Sequence, residues 1–183
     1  MNAAPLVNAT ASSAGAAPAI VVMGVAGCGK SSFGQLLAAA AGLACIEGDD
    51  YHAPASIDKM KAGRPLNDSD RDVWLDTLGV LLARQQPQGV VLTCSALRLA
   101  YRQRLRAARA GLRFVFLRIA QDEAQRRVAA RSGHIFPASL LQSQFDTLES
   151  PDGEAGVLTL DAAAPADDNL QRALAWLRTE SPA

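Results

Sequence analysis

The sequence predicts an α/β fold, a three-layer sandwich in which a five-stranded, mainly parallel sheet carries helices on both faces. Three observations lead there. Five short apolar runs, rich in β-branched residues, alternate along the chain with segments of helical period. The first run leads into Gly24-Val25-Ala26-Gly27-Cys28-Gly29-Lys30-Ser31, the spacing of a phosphate-binding loop between a strand and a helix. The chain has 183 residues, 49% of them hydrophobic, enough for a core on each side of one sheet but short for two domains.

Residues 1–18, rich in Ala, Ser, Asn and Pro and without Lys or Arg, read as a flexible leader rather than a signal peptide or anchor, and 19–183 as one domain. Ile20 to Met23 reads as a buried strand and Ser32 to Ala41 as the helix after the loop. Leu43 to Ile46 is a second strand ending at Glu47-Gly48-Asp49-Asp50, and a polar stretch with Pro, Gly and Lys runs on to Asn67. From Asp68 a helix places Trp74, Leu75, Leu78, Leu81 and Leu82 on one face, with Gln85 to Gly89 closing it. Val90 to Cys94 is a third strand, Arg98 to Ala110 a basic helix and Phe114 to Leu117 a fourth strand. Asp122 to Arg131 forms a helix broken by Gly133, Pro137 starts another to about Leu148, and Val157 to Leu160 is the fifth strand. Leu170, Leu174 and Leu177 stripe the last helix. Parallel strands bind ligands at their carboxyl ends, so the loop, Asp49-Asp50, Cys94-Ser95 and the Arg127 to His134 segment should share one edge.

Composition narrows the partners. Lys plus Arg equals Asp plus Glu at 18 each, so no basic field invites nucleic acid and no acidic excess implies disorder. Cys28, Cys45 and Cys94 form no CxxC and do not pair with His52 or His134 at zinc-site spacing. An odd cysteine count without a secretory signal fits reduced thiols in the cytoplasm. No apolar run approaches the roughly 18 residues of a membrane helix. A small-molecule partner is expected.

The loop chemistry is specific. Its glycines permit backbone conformations that turn successive N–H groups toward phosphate oxygens. Residues Gly24 to Ser32 would cradle the nucleotide, Lys30 reaching the β- and γ-phosphates, Ser31 giving its hydroxyl to Mg²⁺ and the helix N-terminus adding favourable partial charge. A glycine-rich turn with an incidental lysine would lack both flanking elements. The loop alone does not separate a switch, a motor and a small-molecule kinase. No Asn-Lys-x-Asp occurs and no strand ends in a clear Walker B aspartate, which disfavours a GTPase switch or an AAA-type motor.

The segment beyond the second strand is more selective. Gly48-Asp49-Asp50-Tyr51-His52, Ile57-Asp58-Lys59-Met60, Gly63 to Arg71 and Trp74-Leu75 resemble the gluconokinase family of P-loop small-molecule kinases. So do Cys94 to Arg98, Tyr101-Arg102, Leu105-Arg106, Arg131 to His134 and Ser143 to Glu149, in the family's order, from about Ala19 to Pro151. The sequence departs from the pattern at His52-Ala53-Pro54, at Ser56 and at Val73, positions that bear on loop geometry and acceptor contacts.

The resemblance implies a P-loop kinase-like sandwich with a small lid at about 127–137, and ATP-dependent phosphorylation of D-gluconate at its 6-hydroxyl. It is also compatible with a homodimer, although no residue marks an interface. A primary hydroxyl is a weak nucleophile, so such an enzyme works by holding it in line with the γ-phosphate and stabilising transferring charge. Asp49 would orient the hydroxyl and take its proton, with Lys30, Arg127 and Arg131 on the phosphates. Arg71, Arg98 and Arg102 are candidates for the acceptor's carboxylate, and His52, Lys59, Ser95 and His134 for its other contacts. Blander readings stand beside these. Arg98, Arg102 and Arg106 also fit a solvated helix face, Asp49 a cap and His134 a lid surface, while Trp74 and Tyr101 fit packing and Cys28 and Cys94 bystander thiols. The rivals are a shikimate or nucleoside monophosphate kinase of the same fold, and a nucleotide-binding module without turnover.

Overall fold

The three central strands are buried on both faces, which only a sheet covered by helices allows, while the two edge strands are partly exposed. The computed structural model describes residues 17–84, 88–130 and 139–179. Strands β1 (Ala19–Met23), β2 (Ala44–Glu47), β3 (Val90–Thr93), β4 (Arg113–Arg118) and β5 (Val157–Asp161) form one sheet in the order β2-β3-β1-β4-β5, every pairing parallel. Helices α1 (Lys30–Ala41), α2 (Pro54–Lys61), α3 (Asp68–Ala83), α4 (Leu99–Ala108), α5 (Gln121–Ala129), α6 (Ser139–Thr147) and α7 (Ala166–Leu177) connect and cover it.

Alternation along β1 divides the core in two. Ile20 and Val22 face a cluster with Phe33 and Leu37 of α1, Leu141 of α6 and Leu170 and Ala173 of α7. Val21 and Met23 face Trp74, Leu75, Leu78 and Leu82 of α3 and Leu105 of α4. Leu78 and Leu82 are fully buried, each contributing about 1.5–3 kcal/mol by area. Leu81, placed on the same face by periodicity, is only partly buried.

The chain leaves β1 toward β2 and leaves β3 toward β4, in opposite directions across the sheet. The carboxyl ends of β1 and β3 therefore flank a topological switch point, where parallel α/β sheets open a crevice.

Helix α3 starts at a capping box, Asp70 N donating to Asn67 Oδ1 at 2.9 Å and Asn67 N to Asp70 Oδ2 at 3.0 Å. Most other boundaries fall within one or two residues of the sequence reading, but one element differs. The polar stretch before Asn67 contains α2, with Pro54 at its start and Ser56 buried. Ala53, one of the positions departing from the family pattern, is the extended residue that precedes it. The expected lid falls largely on residues outside those described.

Arg102 requires a correction. Expected among the acceptor's carboxylate ligands, it lies on the buried face of α4 and spends its guanidinium on the protein itself. Nη1 donates to the carbonyls of Ala96 at 2.9 Å and Leu97 at 3.0 Å, Nη2 to that of Glu149 at 3.1 Å, and Nε to Glu154 at 3.0 Å. It ties the loops after β3 and α6 together and has no donor to spare for a ligand. Burial pushes the Glu154 carboxyl up, but hydrogen bonds from Arg102 and Arg106 outweigh this and hold its pKa below the ordinary value.

Truncating one partner of such a pair leaves an uncompensated charge, so Arg102→Ala should lower stability by about 3–5 kcal/mol, read as a fall in the urea midpoint. Because the folded value of Glu154 is depressed, its contribution is complete above the ordinary glutamate pKa of about 4.3 and is lost as pH falls through the folded value. Glu154→Gln should therefore flatten the acid limb of stability against pH; an unchanged limb would assign acid sensitivity to other carboxylates.

Candidate active site

The loop after β1 needs glycine where it turns back on itself. Gly24 has φ 144, and a Cβ there would lie 2.8 Å from both Cys28 Sγ and the Leu117 carbonyl. At the loop's far end the left-handed Gly29 precedes α1, and no side chain caps the helix. The first turn of α1 thus presents its partial positive charge at the switch point. Lys30 Nζ bends back over the loop and donates to the Val25 carbonyl at 3.1 Å.

A cavity of about 170 Å³ opens there. Ala26, Gly27, Gly29, Lys30 and Ser31 form its loop wall, Asp49 and His52 come from the segment after β2, and Arg71 and Trp74 from α3. Ser95, just past β3, and Ser143 and Gln144 of α6 close it. Residues separated by more than a hundred positions therefore share one space. A second cavity of about 190 Å³ also borders Gly29 and is lined by Cys28, Ser32, Phe33, Leu36, Arg127 and Asn169 among others.

Asp49 sits in a single 3-10 turn, Gly48–Tyr51. Its side chain is 64% exposed, with Oδ1 3.8 Å from His52 Nε2. The His52 ring stacks on Trp74 with centroids 4.3 Å apart and planes at 16°. Burial lowers the His52 pKa, and Arg71 adds to that while Asp49 opposes it, leaving the imidazole biased toward its neutral form. The buried Cys94 thiol is pushed up to about 12, chiefly by burial, and is inert at neutral pH.

The arginines that look equivalent in sequence have separate surroundings. Arg71 lines the cavity, its Nη1 donating to the Leu66 carbonyl at 2.7 Å. Arg98 pairs with Asp68 at 2.7 Å and does not line the cavity. Lys59 likewise lies outside its wall, paired with Asp70 at 2.5 Å. Arg127 borders the second cavity and donates to Glu123 at 2.6 Å. Ser95 and His52 are in the first cavity, whereas Arg131 and His134 lie outside the described residues. Of the loop, Cys28 and Ser32 border the second cavity, and Gly24 and Val25 neither.

The sequence assigns no role to Gln144, whose Oε1 accepts from Ala26 N at 2.6 Å and joins α6 to the loop. The only signal for it is its place in the block Ser143 to Glu149. Trp74 reads as packing, and it does pack, but its Nε1 also donates to the Gly48 carbonyl at 2.8 Å within the cavity wall.

Among the described residues no group of His, Cys, Asp and Glu is built to hold a metal ion, and no helix is long and apolar enough to cross a membrane. The Ser31 hydroxyl in the cavity wall fits a magnesium ion that would take most of its ligands from nucleotide and water.

A family model described as an AAA domain matches residues 20–151, from β1 to beyond α6. A gluconokinase of Gluconobacter oxydans is 39% identical over 163 residues, covering 88% of this chain and 92% of that protein. The thermoresistant gluconokinase of Escherichia coli is 39% identical over 79% of this chain and 85% of its own length. The crystal structure of a gluconokinase from Sinorhizobium meliloti superposes with a TM-score of 0.80 at 45% identity, over 88% of this chain and 92% of that one. Within the matched AAA-domain family, the chain belongs to the gluconokinases.

Proposed function

We propose that this protein transfers the γ-phosphoryl group of ATP to the 6-hydroxyl of D-gluconate, giving 6-phospho-D-gluconate and ADP in sugar-acid catabolism. One observation carries the reading beyond family membership: the loop residues Lys30 and Ser31 and the acceptor candidates Asp49 and Arg71 line the same cavity. Phosphates and acceptor would thus meet at the switch point.

The second cavity, bordered by Gly29 and Arg127, would take the nucleoside end. Lys30 exchanges its bond to the Val25 carbonyl for the β- and γ-phosphate oxygens, joined by loop N–H groups and the first turn of α1. Bound Mg²⁺, held by Ser31 and the nucleotide, would neutralise charge on the phosphate oxygens. Arg71 holds the acceptor's carboxylate, where a guanidinium already anchored at one nitrogen loses little freedom on binding. Asp49 accepts the hydroxyl's proton as the oxygen bonds to phosphorus and the bond to the ADP oxygen breaks. Ser95 contacts a remaining hydroxyl and His52 stands beside Asp49 in the same wall, with Arg131 and His134 assigned to the lid and Lys59 and Arg98 to the rim. The same reading includes a homodimer and a cytoplasmic setting.

A shikimate or nucleoside monophosphate kinase shares the loop and the strand-end acid, so the acceptor must be measured. ADP release with Mg-ATP should be stimulated by D-gluconate and not by shikimate or a nucleoside monophosphate. Lys30→Ala and Asp49→Ala should each reduce kcat by about 10²–10⁴. Stimulation by another acceptor alone would overturn the assigned substrate, and full turnover in Asp49→Ala would overturn its role as base. Arg71→Lys, which loses the bidentate fork, should raise the gluconate KM roughly tenfold with the ATP KM little changed; equal effects on both would move Arg71 to the nucleotide.

A further inference from the structure

The turn that carries Asp49 is fixed from two sides. From β3, Thr93 Oγ1 accepts from Gly48 N at 3.4 Å, and a Cβ on residue 48 would stand 2.2 Å from the Thr93 carbonyl oxygen. From α3, the Trp74 indole donates to the Gly48 carbonyl at 2.8 Å and lies almost flat on the His52 ring. Trp74 is 2% exposed and the His52 side chain 6%, so neither ring is free to swing.

The two ring nitrogens of His52 then differ sharply. Nδ1 is buried and has no hydrogen-bond partner among the described residues, while Nε2 faces Asp49 Oδ1 at 3.8 Å. A proton on Nδ1 would be a buried donor without an acceptor, and a doubly protonated ring would carry that same defect plus a buried charge. A proton on Nε2 meets a carboxylate. Among the described residues the charged groups that act on the ring are Asp49 on its own turn and Arg71 on α3. Asp49 is largely exposed, and a small rotation of its side chain closes the gap to a hydrogen bond of about 2.8–3.0 Å.

We infer that His52 is a positioning residue: held by the Trp74 ring as the Nε2–H tautomer, it donates to one oxygen of Asp49 and thereby aims the other at the acceptor hydroxyl. A carboxylate on a one-turn element would otherwise sample several rotamers and be ordered only in the transition state. The imidazole orders it beforehand, and Trp74 orders the imidazole. The direction of the bond follows from its partner, since an ionised Asp49 carboxylate can only accept. The inference rests on the proposed role of Asp49, but the tautomer it requires does not.

The chain has two histidines, His52 and His134, so ¹⁵N imidazole spectra of the ligand-free, full-length protein hold two ring systems, and His52→Gln assigns them. The expected spectrum has a protonated Nε2 and a bare Nδ1 on His52, persisting below the ordinary histidine pKa of about 6.5. Trp74→Leu should return the ring to mixed tautomers and ordinary titration. Trp74→Phe, which keeps a stacking ring and loses the Gly48 bond, covers the case in which the leucine variant fails to fold.

In turnover, His52→Gln puts an amide N–H where Nε2–H stands and should keep kcat within about threefold. His52→Asn, whose amide matches Nδ1, should lose roughly 10- to 100-fold, in the range that a misplaced catalytic group costs, with the ATP KM unchanged. A His52 protonated at Nδ1, an imidazolium at pH 7, or equal activity of the Gln and Asn variants would overturn the inference. Failure of gluconate as acceptor with the Nε2–H tautomer present would instead overturn the proposed reaction.

Discussion

The hydrogen bond from Trp74 Nε1 to the Gly48 carbonyl joins a core helix to the short turn that carries Asp49. A 3-10 turn of four residues has too few internal bonds to hold its own shape, so its geometry is borrowed from its neighbours. Here the lenders are β3, through Thr93, and α3, through Trp74. Trp74 belongs to the cluster with Leu75, Leu78 and Leu82 against the sheet. The cost of moving the turn is therefore the cost of disturbing that core, and the position of Asp49 inherits the rigidity of the fold.

Charge is arranged with the same economy. The chain is neutral overall, yet both expected ligands are anions, and the cavity answers them locally with Lys30, Arg71 and an uncapped helix start. Among the described residues, Asp49 is the one carboxylate in its wall. A second would repel both ligands, whereas a single one is enough to take a proton. Other arginines are occupied: Arg102 inside the protein, Arg98 with Asp68, and Arg104 with Asp72 and Asp76. Internal pairing prevents a basic surface and leaves Arg71 as the described arginine of the cavity wall.

The sheet is legible because each strand is a short apolar run bounded by turn residues, a pattern that burial on both faces imposes on the three central strands. Helix α2 is not, since Pro54-Ala55-Ser56-Ile57-Asp58-Lys59-Met60-Lys61 carries too few apolar residues for a stripe, and its stability comes from its neighbours. In the site, the loop and Asp49 are readable from spacing and strand-end position. The division of labour among Arg71, Arg98 and Arg102 is not. It depends on which acceptors surround each guanidinium, and the carbonyls of Ala96, Leu97 and Glu149 that fill Arg102's needs are brought together only by the fold. Gln144 is hidden for the same reason, 118 positions from the amide it meets.

The two cavities impose a direction on the chemistry. Gly29 borders both, so under the proposed reaction a nucleotide with its base end on the Ser32 and Arg127 side would carry its phosphates past the start of α1 toward the space with Asp49. Under the proposed reaction an acceptor held by Arg71 would lie against the α3 wall of the cavity that Lys30 and Ser31 also line. In-line transfer needs acceptor and leaving group opposed and little covalent assistance. The fold contributes by sending β1 and β3 onward in opposite directions, which places the switch point at their carboxyl ends.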